Sequence, residues 1–353
     1  MIFMESKERV RKAIQHIKTD RVPANMECVS YVWTRLMKEK NLKSKNELRD
    51  YYKIDVAEIF PTYVGKRTKS RTVNGQHLVD SIYGGELRLK DNAGEIHSVM
   101  ANYPFNEDTT VEDILSFDWI TPDDFDYESI KRQCDENKGR AIQFGHEGPF
   151  QLSTFMMEMS VLFEKMLIEP DVAKALFDRF VQFELEHYER IFIACDGQAD
   201  ILRPHDDYGT QISLLFSTDM FKEFFAENTK KLTALAHKYG AFYQQHSCGA
   251  VHDFIPLFID CGVDVLEPIQ KVQGLEPERL VKEFGGKIAF HGGIDTQGVL
   301  PYGTPEDVRN ETKKYASILG KDGGYILMSS QAIESDVPTE NVDALFDLEN
   351  RYI

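Results

Sequence analysis

From Gly139 onward the chain repeats one unit: a short apolar run that turns abruptly polar at its end, then a capped amphipathic segment. That alternation is the signature of parallel strands joined by helical crossovers, and it leaves few folds open. The runs are Ala141 to Gly145, Asp200 to Pro204, Ala241 to His246, Val263 to Leu266, Lys287 to His291 and Tyr325 to Ser329. Two earlier ones, Val22 to Cys28 and Val56 to Pro61, bring the count to eight. Eight strand-helix units predict a closed α/β barrel, the (β/α)8 fold. An open doubly wound sheet is the alternative, but no Gly-x-Gly-x-x-Gly follows any run, so dinucleotide binding has no support.

The segments between the runs carry helix punctuation. Gly240 and Gly262 stand as C-terminal caps, Thr304-Pro305-Glu306 as an N-cap followed by proline, and Thr339 opens the last helix. Near the start, Ser6 can cap a helix whose Val10, Ala13, Ile14 and Ile17 form one stripe, and Ser44 with Glu47 makes a capping box. From Thr62 to about Tyr103 the pattern changes to alternation with turns: Leu78 to Tyr83, Glu86 to Leu89, the turn Asp91-Asn92-Ala93-Gly94, and Ile96 to Met100. These read as β-hairpins inserted at one end of the barrel. No stretch has linker composition, so residues 1–353 read as one barrel domain with the insertion at about 62–103. The cluster Met156, Met157, Met159 and Met166 reads as core filling.

A formal charge of −17 argues against nucleic acid and against an anionic membrane surface, both of which require a positive face. No run approaches the length of a membrane span and the N-terminus lacks a signal-peptide core, so the expectation is a cytoplasmic protein. Five scattered cysteines without a Cys-x-x-Cys predict reduced thiols.

In a barrel the C-terminal strand ends converge, and here each end is dense in polar groups. Glu147 follows the third strand; His205, Asp206, Asp207 and Gln211 the fourth; His246 and Cys248 the fifth; Glu267 and Gln270 the sixth; His291 and Asp295 the seventh; Gln331 the eighth. His246 and Cys248 point to one side of an extended segment, so an imidazole and a thiolate can meet one ion, with Glu267 offered from the next strand. The other reading of a lone His-x-Cys is a core histidine beside an inert thiol.

The ordered series Asp206-Asp207-Tyr208-Gly209-Thr210-Gln211, His246-Ser247-Cys248-Gly249, Gly262 to Gln270, Gly292-Gly293-Ile294-Asp295 and Val337 to Val342 resembles the uroporphyrinogen decarboxylase superfamily. More narrowly it is similar to the corrinoid-dependent methyltransferase branch, which includes methylcobalamin:coenzyme M methyltransferases. The resemblance implies a zinc ion at His246, Cys248 and Glu267 that activates an acceptor thiol, with the methyl group carried by a corrinoid on a separate protein. No Asp-x-His-x-x-Gly corrinoid motif is present, so a partner is required. Where methyltransferases of this branch add a cysteine after the last strand, this chain has Ser329-Ser330-Gln331, and the zinc set is incomplete.

The arginine-rich N-terminal motif of the decarboxylases is replaced by Arg21 to Cys28, with an acidic Glu27, which argues against a polyanionic porphyrinogen. His205, Asp206 and Asp207 are the catalytic candidates. Glu147, Gln211, Gln270, His291, Asp295 and Gln331 are the substrate-binding candidates. Without zinc the acceptor becomes tetrahydrofolate, for which Glu147, His205, Asp206 and Asp207 would manage the proton. A barrel that binds a ligand without turnover is the remaining class.

Overall fold

The computed structural model describes residues 4–92 and 95–352. Seven parallel strands lie side by side in the order Val56–Glu58, Ala141–Phe144, Ala199–Leu202, Phe242–His246, Val265–Glu267, Ala289–His291 and Tyr325–Ile326. Residues 22–28 close the ring without forming a regular strand. Asn25 N–H donates to Leu327 O at 2.9 Å and Leu327 N–H to Pro23 O at 2.8 Å, while Asp55 N–H reaches Ala24 O at 2.8 Å on the other side. All eight runs read from the sequence thus take part in the barrel.

The lower barrel is apolar. Val56, Ala141, Ile201, Val265, Ala289 and Ile326 form one cluster, and Val10 and Ile14 of the helix Ser6–Ile14 join it from below. That helix is a plug, and Ile17, the fourth member of the expected stripe, is exposed. It is anchored through Asp55, whose carboxylate accepts from Ser6 Oγ, Arg9, Arg21, Arg351 and the Ala24 amide, all at 2.7–2.9 Å. Asp55 and Arg351 are fully buried, so the network fastens both chain ends to the barrel floor.

The expected insertion is a four-stranded antiparallel sheet, Ser70–Val73, Gln76–Asp80, Glu86–Asn92 and Glu95–Asn102. Ser70–Val73 is an addition to the sequence reading. It turns back at Asn74 and Gly75, both with positive φ (49° and 76°), the conformation that a two-residue hairpin requires. Of the turn expected at Asp91-Asn92-Ala93-Gly94, Ala93 and Gly94 lie outside the described residues. Met156, Met157 and Met166 are buried in the core, whereas Met159 is exposed. Among the described residues no helix is long and apolar enough to cross a membrane.

Candidate active site at the barrel mouth

Side chains two apart on a strand share a face, so the positions above the apolar layer also point inward. They are polar: Glu58 above Val56, Gln143 above Ala141, Arg203 above Ile201, Glu267 above Val265 and His291 above Ala289. Arg203 is the hub. Its Nε and Nη2 grip the two oxygens of Glu267 at 2.7 and 2.9 Å, and Nη1 lies 2.6 Å from Glu27 and 3.1 Å from Glu58. Burial alone would lower the guanidinium's pKa, yet Glu267, Glu27 and Glu58 hold it well above its ordinary value. Burial would raise Glu267, but Arg203 and then His246 hold it well below the carboxylate range. Glu27 is pushed up to about 7 by burial, against the pull of Arg203.

His246 ends its strand beside Glu267 in register, with Nδ1 2.7 Å from Glu267 Oε2. Its Nε2 is 3.4 Å from Cys248 Sγ and 3.5 Å from Asp207 Oδ1. Asp207 Oδ1 also accepts from the Cys248 amide at 2.8 Å, and Gln331 Nε2 donates to Cys248 Sγ. The donor atoms of Asp207, His246 and Cys248 lie within 4.8 Å of one another, and no other such group occurs among the described residues. Glu267, read from the sequence as the third donor, instead occupies the far nitrogen of the same imidazole. Burial would make His246 less basic, but Glu267 raises its pKa well above the ordinary value. Burial pushes the Cys248 thiol up, with His246 opposing.

The loop that carries Cys248 is tightly held. Gly249 has φ +89°, and a Cβ there would lie 2.5 Å from the backbone of Gly209, so only glycine lets the two loops cross. Gln270 Oε1 accepts the Gly249 amide at 2.7 Å, and Ser247 Oγ accepts that of Tyr208 at 2.9 Å.

The remaining candidates divide. Asp206 accepts the Phe150 and Gln151 amides at the start of the helix Pro149–Met156 and the Tyr208 hydroxyl, at 2.8–3.3 Å. Burial still pushes it up to about 7, against those bonds. It fastens a helix and is not among the three donors. The His205 ring lies 4.7 Å from that of His246, and burial, then Arg203, keeps it well below its usual pKa. His291 Nδ1 pairs with Gln244 Oε1 at 3.0 Å, and burial pushes its pKa down to about 3. Asp295 accepts the Gln297 amide and lies 3.6 Å from Lys271. Gln211 is exposed on its loop. Glu147 lines a groove of about 490 Å³ beneath the inserted sheet, with Tyr83, Tyr103 and Phe155. Sequence reasoning missed Arg203, Glu58 and Gln143; the signal was a polar residue two places after the inward apolar Ile201, Val56 and Ala141.

The uroporphyrinogen decarboxylase (URO-D) family profile matches residues 79–352. The chain belongs to that family. It is 25% identical over 236 residues to a uroporphyrinogen decarboxylase of Vesicomyosocius okutanii, covering 63% of each chain. A second decarboxylase, from Psychromonas ingrahamii, is 25% identical over 238 residues, 62% of each. The chain therefore spans under two thirds of the length of these relatives. A solved methyltransferase from Methanosarcina mazei superposes with a TM-score of 0.68 at 16% identity, covering 97% of both chains, which establishes the shared fold. The barrel read from the sequence is the barrel of this family.

Proposed function

We propose that this family member transfers a methyl group between a corrinoid held by a separate protein and a small thiol, with Asp207, His246 and Cys248 as zinc donors. The observation that carries the reading is the convergence of an imidazole nitrogen, a thiol sulfur and a carboxylate oxygen at one point of the rim. One nitrogen, one sulfur and one oxygen suit zinc better than magnesium or calcium, which take all-oxygen sites. Three protein donors leave the open position of a catalytic site. A zinc ion bound there supplies the charge that deprotonates a coordinated thiol near neutral pH.

The chain's own residues have distinct parts. Glu267 holds the His246 Nδ1 proton, which fixes the tautomer and presents Nε2 as a donor. Arg203 keeps Glu267 ionised and in place. Gln331 stands on the Cys248 sulfur where the methyltransferase branch would place a cysteine, and Gln270 pins the turn beneath it. Asp207, partly exposed, reaches the donors from the solvent side. The corrinoid protein brings the methyl group to this mouth, and the acidic lumen disfavours a polyanionic porphyrinogen, because Arg203 is already committed to three carboxylates.

The test is the purified protein mixed with methylcobalamin and either a panel of thiols or tetrahydrofolate, followed by the cobalamin spectrum. Demethylation with a thiol is expected. Cys248→Ser should reduce it at least about 100-fold, because a hydroxyl is a poor ligand for a soft ion. Transfer to tetrahydrofolate that survives Cys248→Ser, or conversion of uroporphyrinogen, would overturn the reading.

A further inference from the structure

Most carboxylates at the barrel mouth are already engaged: Glu27, Glu58 and Glu267 share Arg203, Asp206 fastens the helix Pro149–Met156, and Asp295 lies beside Lys271. Glu147 is different. It follows its strand half-buried, and among the described residues no basic side chain pairs with its carboxylate. It stands in the wall of the groove of about 490 Å³ beneath the inserted sheet, a volume within the roughly 300–1,000 Å³ of small-molecule sites.

The walls of this groove have one chemical bias. Tyr83, Leu87, Tyr103 and Phe155 supply aromatic and apolar surface, Asp80 adds a second carboxylate, and no lysine or arginine is among the lining residues. Among the described residues Asp80 accepts a backbone amide, that of Lys69 at 3.0 Å, and pairs with no cation. Ring faces and carboxylates without counter-charges both attract a cation, and an alkyl segment suits the hydrocarbon between them. An anion would meet like charge with nothing to offset it.

The groove is also within reach of Asp207, His246 and Cys248. Glu147 bridges to His205 and His205 to His246, and the two imidazole rings lie 4.7 Å apart. Neighbouring strands are about 4.8 Å apart, so two steps separate the Glu147 backbone from that of His246 by about 10 Å. A thiol whose sulfur sits at the three donors can lay a tail of roughly six carbons past His205 into the groove.

We propose that the methyl acceptor is an aminoalkyl thiol, its sulfur at Asp207, His246 and Cys248 and its ammonium in the groove against Glu147, Tyr83 and Tyr103. This acceptor presupposes thiol methylation at those three donors and adds to it the charge of the tail. Glu147 is then a specificity-determining residue, and no step of the transfer passes through it.

Three thiols of equal length test it: aminohexanethiol, mercaptohexanol and mercaptohexanesulfonate, each substituted at its two ends. Each is titrated calorimetrically into the full chain with zinc supplied, and each is offered as acceptor to methylcobalamin. The ammonium thiol is expected to bind about tenfold more tightly than the alcohol, and the sulfonate more weakly than either, with the same order in KM. Glu147→Gln should reduce the preference for ammonium over alcohol to within about twofold. Glu147→Lys should turn it round in favour of the sulfonate, a readout that a merely structural role would not move. Should both variants fail to fold, the ranking in the parent protein decides. If none of the three is methylated, thiol methylation itself fails, and the order of the three dissociation constants still decides the groove. Equal binding of the ammonium and alcohol thiols, tighter binding of the sulfonate, an undiminished preference in folded Glu147→Gln, or no saturable heat with the ammonium thiol up to about 10 mM overturns the proposal.

Discussion

In the proposed zinc site His246 faces two demands at once: one ring nitrogen keeps a proton for Glu267 while the other gives up its lone pair. The geometry separates them, with Glu267 2.7 Å from Nδ1 and both Cys248 and Asp207 within about 3.5 Å of Nε2. Partners that orient a ligating histidine typically change metal affinity by about 10–100-fold when lost, so Glu267→Gln should weaken zinc by that factor in a chelator-competition titration. Asp206→Asn, one residue from a donor, should leave zinc affinity unchanged and lower stability instead, because its carboxylate serves the helix Pro149–Met156 and Tyr208. The association of His246 with Cys248 is legible in the sequence, since residues two apart on a strand end share a face. The relation between Glu267 and Asp207 is not. A carboxylate on the neighbouring strand can meet either nitrogen, and only the register and the pull of Arg203 decide which.

At the scale of elements, the parallel strands are legible because both faces are buried and apolar residues fill the lower inward positions and most outward ones, even though the upper inward positions are polar. Ser70–Val73 is hidden by the opposite circumstance: all four residues are exposed, so no apolar alternation marks the strand, and only Asn74-Gly75 betrays the hairpin. Residues 22–28 read as a strand yet make only single bridges, because Pro23 cannot donate and the segment is shared between two neighbours. Its place depends on Asp55, which binds the Ala24 amide as well as Arg9, Arg21 and Arg351. Asp55→Ala would leave Arg21 and Arg351 without a carboxylate at the barrel floor, while Arg9 keeps its pair with Asp20. Breaking one side of a buried ionic cluster costs about 3–5 kcal/mol, so a loss of that size is expected in denaturant unfolding. A loss under about 1 kcal/mol would mean that the other contacts, Arg9 with Asp20, Arg11 with Asp200 and Arg351 with backbone carbonyls, hold the helix plug and the C-terminus without Asp55.

For the molecule as a whole, buried titratable groups couple the fold to pH in two directions. Asp206 and Glu27, raised to about 7, take up protons in the folded state as pH falls and so support it. His187 and His291, lowered to about 2 and about 3, work the other way. Above pH 6.5 an imidazole is neutral in both states and contributes no pH dependence; below it the unfolded chain binds a proton that the folded chain refuses until about pH 2, and stability is lost progressively across that window. Because the opposing carboxyls mute the net slope, one histidine is best isolated by difference. His187 is 1% exposed and its Nδ1 lies 2.7 Å from the Tyr127 hydroxyl, a bond that a glutamine side chain can imitate. His187→Gln should therefore cost some stability at pH 7.5 and recover it relative to the parent as pH falls from 6.5 to 5, by about 1.4 kcal/mol per pH unit. Parallel unfolding curves for parent and variant over that range would show that His187 is protonated in the folded protein, and that burial on the helix Pro170–Ala194 does not exclude the charge.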